Sequence, residues 1–402
     1  MKNILAVFLA VIFIVPISAF GEIKKAESEG LKKESKEISK GLTAKDWLEK
    51  ARNLLADEKQ PDLQKALEYL NEAIRLNPEL VDSYIERGWV HAQLTKNQQA
   101  IQDFSKVIQL EPNSVRGYGN RGLLYNDIGQ YKQAIEDFNK VISLKSSDPS
   151  TYLDRGYAYV KLLKDQEASQ DFNEAIRLQP DLVAAYIMRG NYFIETEKYE
   201  QAIHDFDVAI GLKPNDAAIY MIRGRAYSEL GKDQQASWDF SEAIRLQPNH
   251  PQIALAYAER GYALANLTKK QEAIQDFNKA NQIQPNLADV YNDLGISYID
   301  RRGQYRRAIR AYDVAIHLKP NDATPYYNRG NAYRSLERYQ QAIGNYDEAI
   351  RLKPDDAYAY NNRGFSYIRS GKLKEGCLSL IKACKLGRCK GYEEAKHFGD
   401  CK

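Results

Sequence analysis

The feature that most constrains this chain is that it repeats itself every 34 residues. VDSYIERGWVHAQLTKNQQAIQDFSKVIQLEPNS (81–114) is followed at once by VRGYGNRGLLYNDIGQYKQAIEDFNKVISLKSSD (115–148). The register continues in copies beginning at Pro149, Val183, Ala217, Ala254, Ala288, Ala323 and Ala357, and a looser first copy starts near Ala44. Self-similarity at this period marks an array in which each copy buries its apolar face against its neighbour. Within a copy, two stretches of 3.6-residue periodicity flank a short polar turn, which predicts an antiparallel helix pair.

The copies serve as an internal alignment. Counting from the first residue of a copy, position 4 is Tyr from Tyr84 to Tyr360 and position 8 is Gly from Gly88 to Gly364. Position 20 is Ala from Ala100 to Ala342, then Gly376, and position 24 is aromatic from Phe104 to Tyr346. Glycine inside a helix costs about 1 kcal/mol relative to Ala, so its recurrence needs a reason. Folding the hairpin about position 14 is expected to set positions 8 and 20 face to face, letting the two backbones approach. The aromatic at 24 is expected to fill the space toward the next copy. Pro at position 32, as in Pro112, Pro180 and Pro354, stops the second helix.

This pattern resembles the tetratricopeptide repeat over about residues 44–390. The resemblance implies an all-α fold: a right-handed α-solenoid superhelix of about ten stacked helix hairpins, its first helices lining a concave groove. A short C-terminal helix, within residues 391–402, is expected to cap the open end, as every solenoid requires.

Position 7 departs from the usual repeat, which carries an apolar residue there. Here it is Arg, with Asp sixteen residues later: Arg87 and Asp103, Arg121 and Asp137, Arg155 and Asp171, Arg189 and Asp205, Arg223 and Asp239, Arg260 and Asp276. Both positions lie eight residues from position 15, so the hairpin sets them opposite each other. In the copy from Ala288 both are lost together, to Leu294 and Ala311. This predicts a structural ladder of Arg–carboxylate pairs, within or between neighbouring copies, setting register more than adding stability. The last two copies pair Arg329 with Asn345 and Arg363 with Ser379.

Two irregularities interrupt the array. NHPQI (249–253) adds three residues to a loop, and DRRGQYRR (300–307) adds one. Arg301, Arg302, Arg306, Arg307 and Arg310 make the second a cationic cluster, read as a solvated helix-turn-helix edge in preference to a phosphate-binding one.

By the family resemblance the groove positions are 2, 5, 6, 9, 12 and 13. The central copies present Leu153, Tyr157, Ile187, Met188, Asn191, Ile194, Met221, Ile222, Arg225 and Tyr262 there. Later copies present Asn292, Asn328, Asn331, Asn361 and Asn362, with Asn120 further back. An Asn amide donates and accepts at once, so a row of them can hold an extended backbone irrespective of its sequence. This resembles the asparagine-lined groove of some long members of the family. The carboxylate clamp of its chaperone-binding members, Lys at position 5 with Asn at 9, is absent.

Residues 1–21 read as a signal peptide: Lys2, an apolar core ILAVFLAVIFIV ended by Pro16, and small residues Ala19 and Gly21 before a cleavage site after Gly21. Retention as an anchor is the alternative reading. Residues 22–43 are a charged linker with too little apolar surface to fold alone. Four cysteines, Cys377, Cys384, Cys389 and Cys401, all lie in the last copy and cap. Cys377 and Cys384 are two turns apart on one helix, about 10.5 Å by helix rise. Pairs Cys384–Cys389 and Cys377–Cys401 fit this geometry best of three connectivities. Zinc is the other reading, disfavoured because close C-x-x-C knuckles are lacking.

With 57 basic against 54 acidic residues, nothing argues for nucleic acid. The five His fall at unrelated repeat positions, and no nucleophilic triad or glycine-rich phosphate loop occurs. The expectation is a non-enzymatic scaffold without cofactor or metal, periplasmic or secreted, holding a protein or peptide segment in its groove. The alternative is an assembly factor of an envelope complex acting by self-association or through its convex face.

Overall fold

The structure is a computed structural model. It describes residues 41–56, 61–145, 147–250 and 252–401, with Arg301 and Arg302 described by main chain alone. The signal segment and residues 22–40 of the linker lie outside these bounds. Among the described residues there are 21 α-helices and no strand. The expected all-α stack of helix hairpins is therefore what the chain forms.

The helices fall into two compact units. The first holds α1 (Ala44–Leu55), α2 (Leu63–Leu76), α3 (Val81–Gln93), α4 (Asn97–Leu110), α5 (Val115–Asp127), α6 (Tyr131–Leu144), α7 (Pro149–Lys161), α8 (Asp165–Leu178) and α9 (Val183–Glu195). The second holds α10 (Tyr199–Leu212), α11 (Ala217–Glu229), α12 (Asp233–Leu246), α13 (Ile253–Asn266), α14 (Lys270–Ile283), α15 (Leu287–Arg302) and α16 (Tyr305–Leu318). It continues with α17 (Ala323–Ser335), α18 (Tyr339–Leu352), α19 (Ala357–Arg369), α20 (Leu373–Lys385) and the cap α21 (Lys390–His397). A capping box opens α1, with Thr43 N donating to Asp46 Oδ2 at 2.7 Å and Asp46 N to Thr43 Oγ1 at 3.3 Å.

The hairpin turns share one device. In the hairpins from Val81 onward the turn residue at position 15 sits in the left-handed region, as Gly129, Gly231 and Gly371 but also as Thr95, Leu163, Glu197, Thr268 and Glu337, with Gly303 taking the place in the copy that carries the extra residue. The turn geometry therefore overrides the usual preference for glycine.

The recurrent Gly at position 8 has a different partner from the expected one. A Cβ at Gly88 would lie 2.6 Å from the Phe104 ring, at Gly156 2.8 Å from Phe172, and at Gly330 2.7 Å from Tyr346. The glycine makes room for the aromatic at position 24 of its own hairpin rather than for Ala at 20. In the last hairpin the two small residues meet, where a Cβ on Gly364 would lie 3.1 Å from the Gly376 carbonyl oxygen. The same ring also reaches forward: Phe104 packs with Ala100 and Leu124, and Phe240 with Ala236 and Ala263.

The arginine ladder forms as expected and goes further. Arg121 Nε and Nη2 each donate to Asp137 at 2.8 Å, and Arg155 to Asp171 at 2.8 and 2.6 Å. Arg87, Arg223 and Arg260 pair with their aspartates in the same way. Arg189 and Asp205 lie in different units. The remaining nitrogen, Nη1, donates backward to the preceding hairpin: Arg87 to Asn71, Arg121 to Ser105, Arg155 to Asn139 and Arg223 to Asp207. One fork thus joins both hairpins, a use that suits the planar guanidinium.

The tyrosines serve this ladder. Arg155 lies 5.6 Å from the ring of Tyr152 and 5.7 Å from that of Tyr159, one turn to either side, and Arg223 sits likewise between Tyr220 and Tyr227. The hydroxyl at position 4 then donates to the carbonyl of the helix-stopping Pro, as Tyr84 to Pro78 at 3.1 Å and Tyr220 to Pro214 at 3.1 Å. Where the ladder is lost, Leu294 packs against the cluster that contains Ala311.

Candidate functional site

The inner helix face was the predicted groove, and the structure divides its residues into three groups. In the N-terminal unit Asn120, Tyr157, Ile187, Met188 and Asn191 are half-buried, as a groove lining should be. Leu153 and Ile194 are buried, and Leu153 and Met188 both belong to the core around Tyr152 and Phe172. Their apolar character is used by the fold itself.

In the C-terminal unit the predicted lining Met221, Arg225 and Tyr262 is half-buried and partly covered from within the chain. Met221 packs against three core clusters. The cover is α16. Its residues are buried round most of the circumference, including Ala308, Ile309, Ala311, Tyr312, Val314, Ala315, Ile316 and Leu318. A helix buried round most of its circumference keeps little solvent face. Arg310 stands at the repeat position occupied elsewhere by exposed Gln102, Trp238 and Gln275, yet its side chain is only 13% exposed.

Arg310 is held by groove positions of two preceding hairpins. Nη2 donates to Glu259 on α13, Nη1 to Glu229 on α11 at 3.4 Å, and the guanidinium lies 5.3 Å from the Tyr262 ring centroid. Arg225 Nε donates to Glu259 at 3.1 Å and Tyr291 Oη donates to it at 3.0 Å. Burial works against the Glu259 charge, but Arg310 and Arg225 outweigh it and hold the carboxyl below the usual range. Burial, reinforced by Asp313, pushes the Tyr262 hydroxyl up to about 12.

The reading of the arginine cluster as a solvated edge is thereby corrected. Arg307 is 8% exposed, lies 4.1 Å from the Tyr298 ring centroid and donates to Gln304 at 2.8 Å. Arg307 and Arg310 face inward, while Arg306 is exposed. The extra residue of this copy lies before Gly303, which caps a 16-residue α15 in the left-handed conformation, while α16 keeps the usual phase within its hairpin, a Cβ on Gly295 meeting the Tyr312 ring. α16 packs on both helices of the preceding hairpin, α13 and α14. Glu229 and Glu259 escaped the sequence reading because a groove position is not expected to be buried. Their signal was Arg310 beside the insertion.

The asparagines further along form rungs between hairpins. Asn328 Nδ2 donates to Asn292 Oδ1 at 2.9 Å, and Asn362 Nδ2 to Asn331 Oδ1 at 2.9 Å and to the Tyr327 hydroxyl at 3.1 Å. Asn292, Asn328, Asn331 and Asn362 stay half-buried, as does Ile222. Asn361 belongs elsewhere. It is 7% exposed, and its Oδ1 lies 2.1 Å from where a Cβ on Gly391 would stand, so it sits under the cap.

The cap itself is as expected. The structure pairs Cys377 with Cys401 and Cys384 with Cys389, at Cα separations of 5.6 and 3.8 Å. Leu380, Ala395 and Cys401 form the buried cluster beneath α21, with Phe365 and Tyr392 against it. Among the described residues no group of His, Cys, Asp or Glu is placed to hold a metal ion. No described helix is long and apolar enough to cross a membrane.

Family models described as TPR repeat match residues 122–162, 301–334 and 330–371. Models described as tetratricopeptide repeat match 153–217 and 187–251, and 81–114 and 254–287. No curated protein matches. Among solved structures, a tetratricopeptide repeat protein from Parabacteroides merdae ATCC 43184 is 23% identical, with 61% of this chain and 95% of that one aligned and a TM-score of 0.49. MamA 41-end from Desulfovibrio magneticus RS-1 is 23% identical over 42% of this chain and 95% of its own, with a TM-score of 0.40. YrrB, described as a TPR protein with an unusual peptide-binding site, is 21% identical over 47% and 98%, with a TM-score of 0.38. The matched segments span well over half of its length, and the chain belongs to the tetratricopeptide-repeat family.

Proposed function

We propose that this protein is a non-enzymatic interaction scaffold that holds an extended segment of a partner protein along its inner helix face. The asparagine rungs carry this reading. Asn292, Asn328, Asn331 and Asn362 recur at groove positions, remain half-buried, and bond to one another across hairpins. Each amide has two donors and two acceptor lone pairs. Asn331 Oδ1 is also taken by Tyr346 and Asn362 Oδ1 by Asn361, so the amide donors of Asn292 and Asn331 and the acceptor of Asn328 are left for a passing main chain. A row of such groups binds backbone and tolerates varied side chains.

The occupied stretch beneath α16 limits where a partner can lie, so the rungs and the inner face of the N-terminal unit are the proposed seats. The apolar leader and the cysteine pairs support delivery to an oxidising compartment, the periplasm or the exterior. The test is selection from a random linear dodecapeptide library by the full chain without its leader. Recovered peptides should lose affinity for the Asn328→Ala, Asn331→Ala, Asn362→Ala variant while its circular dichroism stays unchanged. Failure to select any peptide, with light scattering that shows ordered self-association instead, would replace this reading with that of an assembly factor.

A further inference from the structure

We propose that the C-terminal end of the array, α20 and the cap α21, docks on the surface of an anionic lipid bilayer. This goes beyond the groove reading and does not depend on it.

The last copy differs from the others in charge. Residues 369–402 hold nine Lys and Arg against four Asp and Glu, whereas the rest of the chain holds 48 against 50. The net positive charge of the protein therefore belongs to this end. Three earlier copies neutralise the exposed side of the second helix with an ion pair one turn apart. Arg177 Nε donates to Glu174 at 2.8 Å, Arg245 Nε to Glu242 at 2.9 Å and Arg351 Nε to Glu348 at 2.7 Å. The same two repeat positions in α20 are Lys382 and Lys385, both exposed, and the only acid on that helix is Glu375. On α21, Glu394 is already answered by Lys390 at 3.8 Å. Lys374, Lys385 and Lys396 are exposed and have no ion-pair partner among the described residues.

Apolar side chains stand among these cations. Leu378 is 59% exposed and lies between Lys374 and Lys382, one turn to either side, with Lys385 two turns on. Leu373 is 47% exposed, one turn before Cys377 on the same side of α20. The Cys377–Cys401 disulfide, with Cα atoms 5.6 Å apart, holds the end of the cap at that point. Phe398, three residues before Cys401, is 77% exposed, more than any other large apolar side chain among the described residues. Single exposed apolar residues are ordinary on a folded protein. Three of them gathered at one end, rimmed by cations without counter-ions, match the make-up of a membrane-surface site. The apolar groups enter the headgroup boundary while the ammonium groups meet lipid phosphates. Side chains standing this far out of the surface are covered by a fluid layer that closes around them.

The test is sedimentation of the chain without its leader together with vesicles of phosphatidylcholine, alone or mixed with phosphatidylglycerol. Binding to the mixed vesicles should be about tenfold tighter or more, and should weaken as salt is raised. The Leu378→Ser, Phe398→Ser variant should bind them about tenfold more weakly, and so should Lys374→Gln, Lys385→Gln, Lys396→Gln. Thermal midpoints should not move, because every replaced side chain is exposed. Equal binding to both kinds of vesicle, binding to neither, or variants that bind like the wild type overturn this inference and leave the groove reading standing. A dimer in light scattering that Leu378→Ser, Phe398→Ser dissolves also overturns it, by giving the patch to a second copy.

Discussion

Arg310 of α16 donates to Glu259 of α13, 51 residues earlier in the chain, and so closes part of the inner face of the C-terminal unit. Arg310 stands at a repeat position whose residues elsewhere, Gln102, Trp238 and Gln275, are exposed. It converts groove positions into core and leaves a buried charge network whose members depend on one another.

Arg310→Met should be among the most damaging substitutions in the C-terminal unit. Glu259 would stay buried with only Arg225 and Tyr291 for company, and breaking a buried pair costs about 3–5 kcal/mol. The urea midpoint of the variant should fall accordingly. Adding Glu259→Gln should recover part of the loss, because the uncompensated charge is then gone.

Asp154 predicts a pH dependence of opposite sense to the usual carboxylate. Burial, together with Asp148 and Asp127, raises its carboxyl to about 7. Its folded-state value exceeds the unfolded one, so its favourable contribution is complete below about pH 4 and is lost as pH rises through 7. Thermal midpoints of Asp154→Asn and wild type should coincide near pH 4, and the variant should melt a few degrees higher at pH 8.

Gly156→Ala should destabilise by about 1–3 kcal/mol, since the new methyl would stand 2.8 Å from the Phe172 ring and force it to move. Gly344→Ala, where nothing lies within 4 Å, should instead stabilise by up to about 1 kcal/mol through helix propensity. Chemical denaturation of the two variants separates close approach from mere occurrence of glycine.

Thr95→Gly should stabilise the N-terminal unit. Thr95 has φ 57°, a conformation that disfavours β-branched residues by roughly 1–2 kcal/mol and suits glycine. Part of the gain is offset by the greater freedom of glycine in the unfolded chain. A rise in urea midpoint without a change in slope is the expected result.

Cys401→Ser should release the cap. Cys377 and Cys401 close a loop of sequence separation 24, worth about 3 kcal/mol in chain-entropy terms. Limited proteolysis should then cut near Phe398, which is already 77% exposed, while the hairpins stay intact. Mass spectrometry of the alkylated wild-type chain should find no free thiol.

What repeats was legible in the sequence, and what happens once was not. Helix order, the Arg–Asp ladder and the cysteine pairs follow from spacing, because identical offsets recur and each copy checks the others. The partner of the position 8 glycine was misjudged because the crossing of two helices depends on side-chain volume as well as on register. The Phe104 ring, not the Ala100 methyl, decides that approach. Arg225 and Tyr262 were read as lining because they hold lining positions. Both are half-buried, and what periodicity does not show is that Glu259 and Arg310 reach them from neighbouring hairpins. Asn361 was likewise assigned by position, while the cap above it has no counterpart in the repeat.

Arg87, Arg121, Arg155 and Arg223 each reach sixteen residues forward and sixteen residues back. A hairpin copied in frame would therefore arrive with both of its partners already waiting. Length is the freely adjustable variable of this molecule, open to gene duplication or deletion by whole hairpins. The stretch from α13 to α16 is the exception, since its contacts skip over neighbours and no duplicate could satisfy them twice.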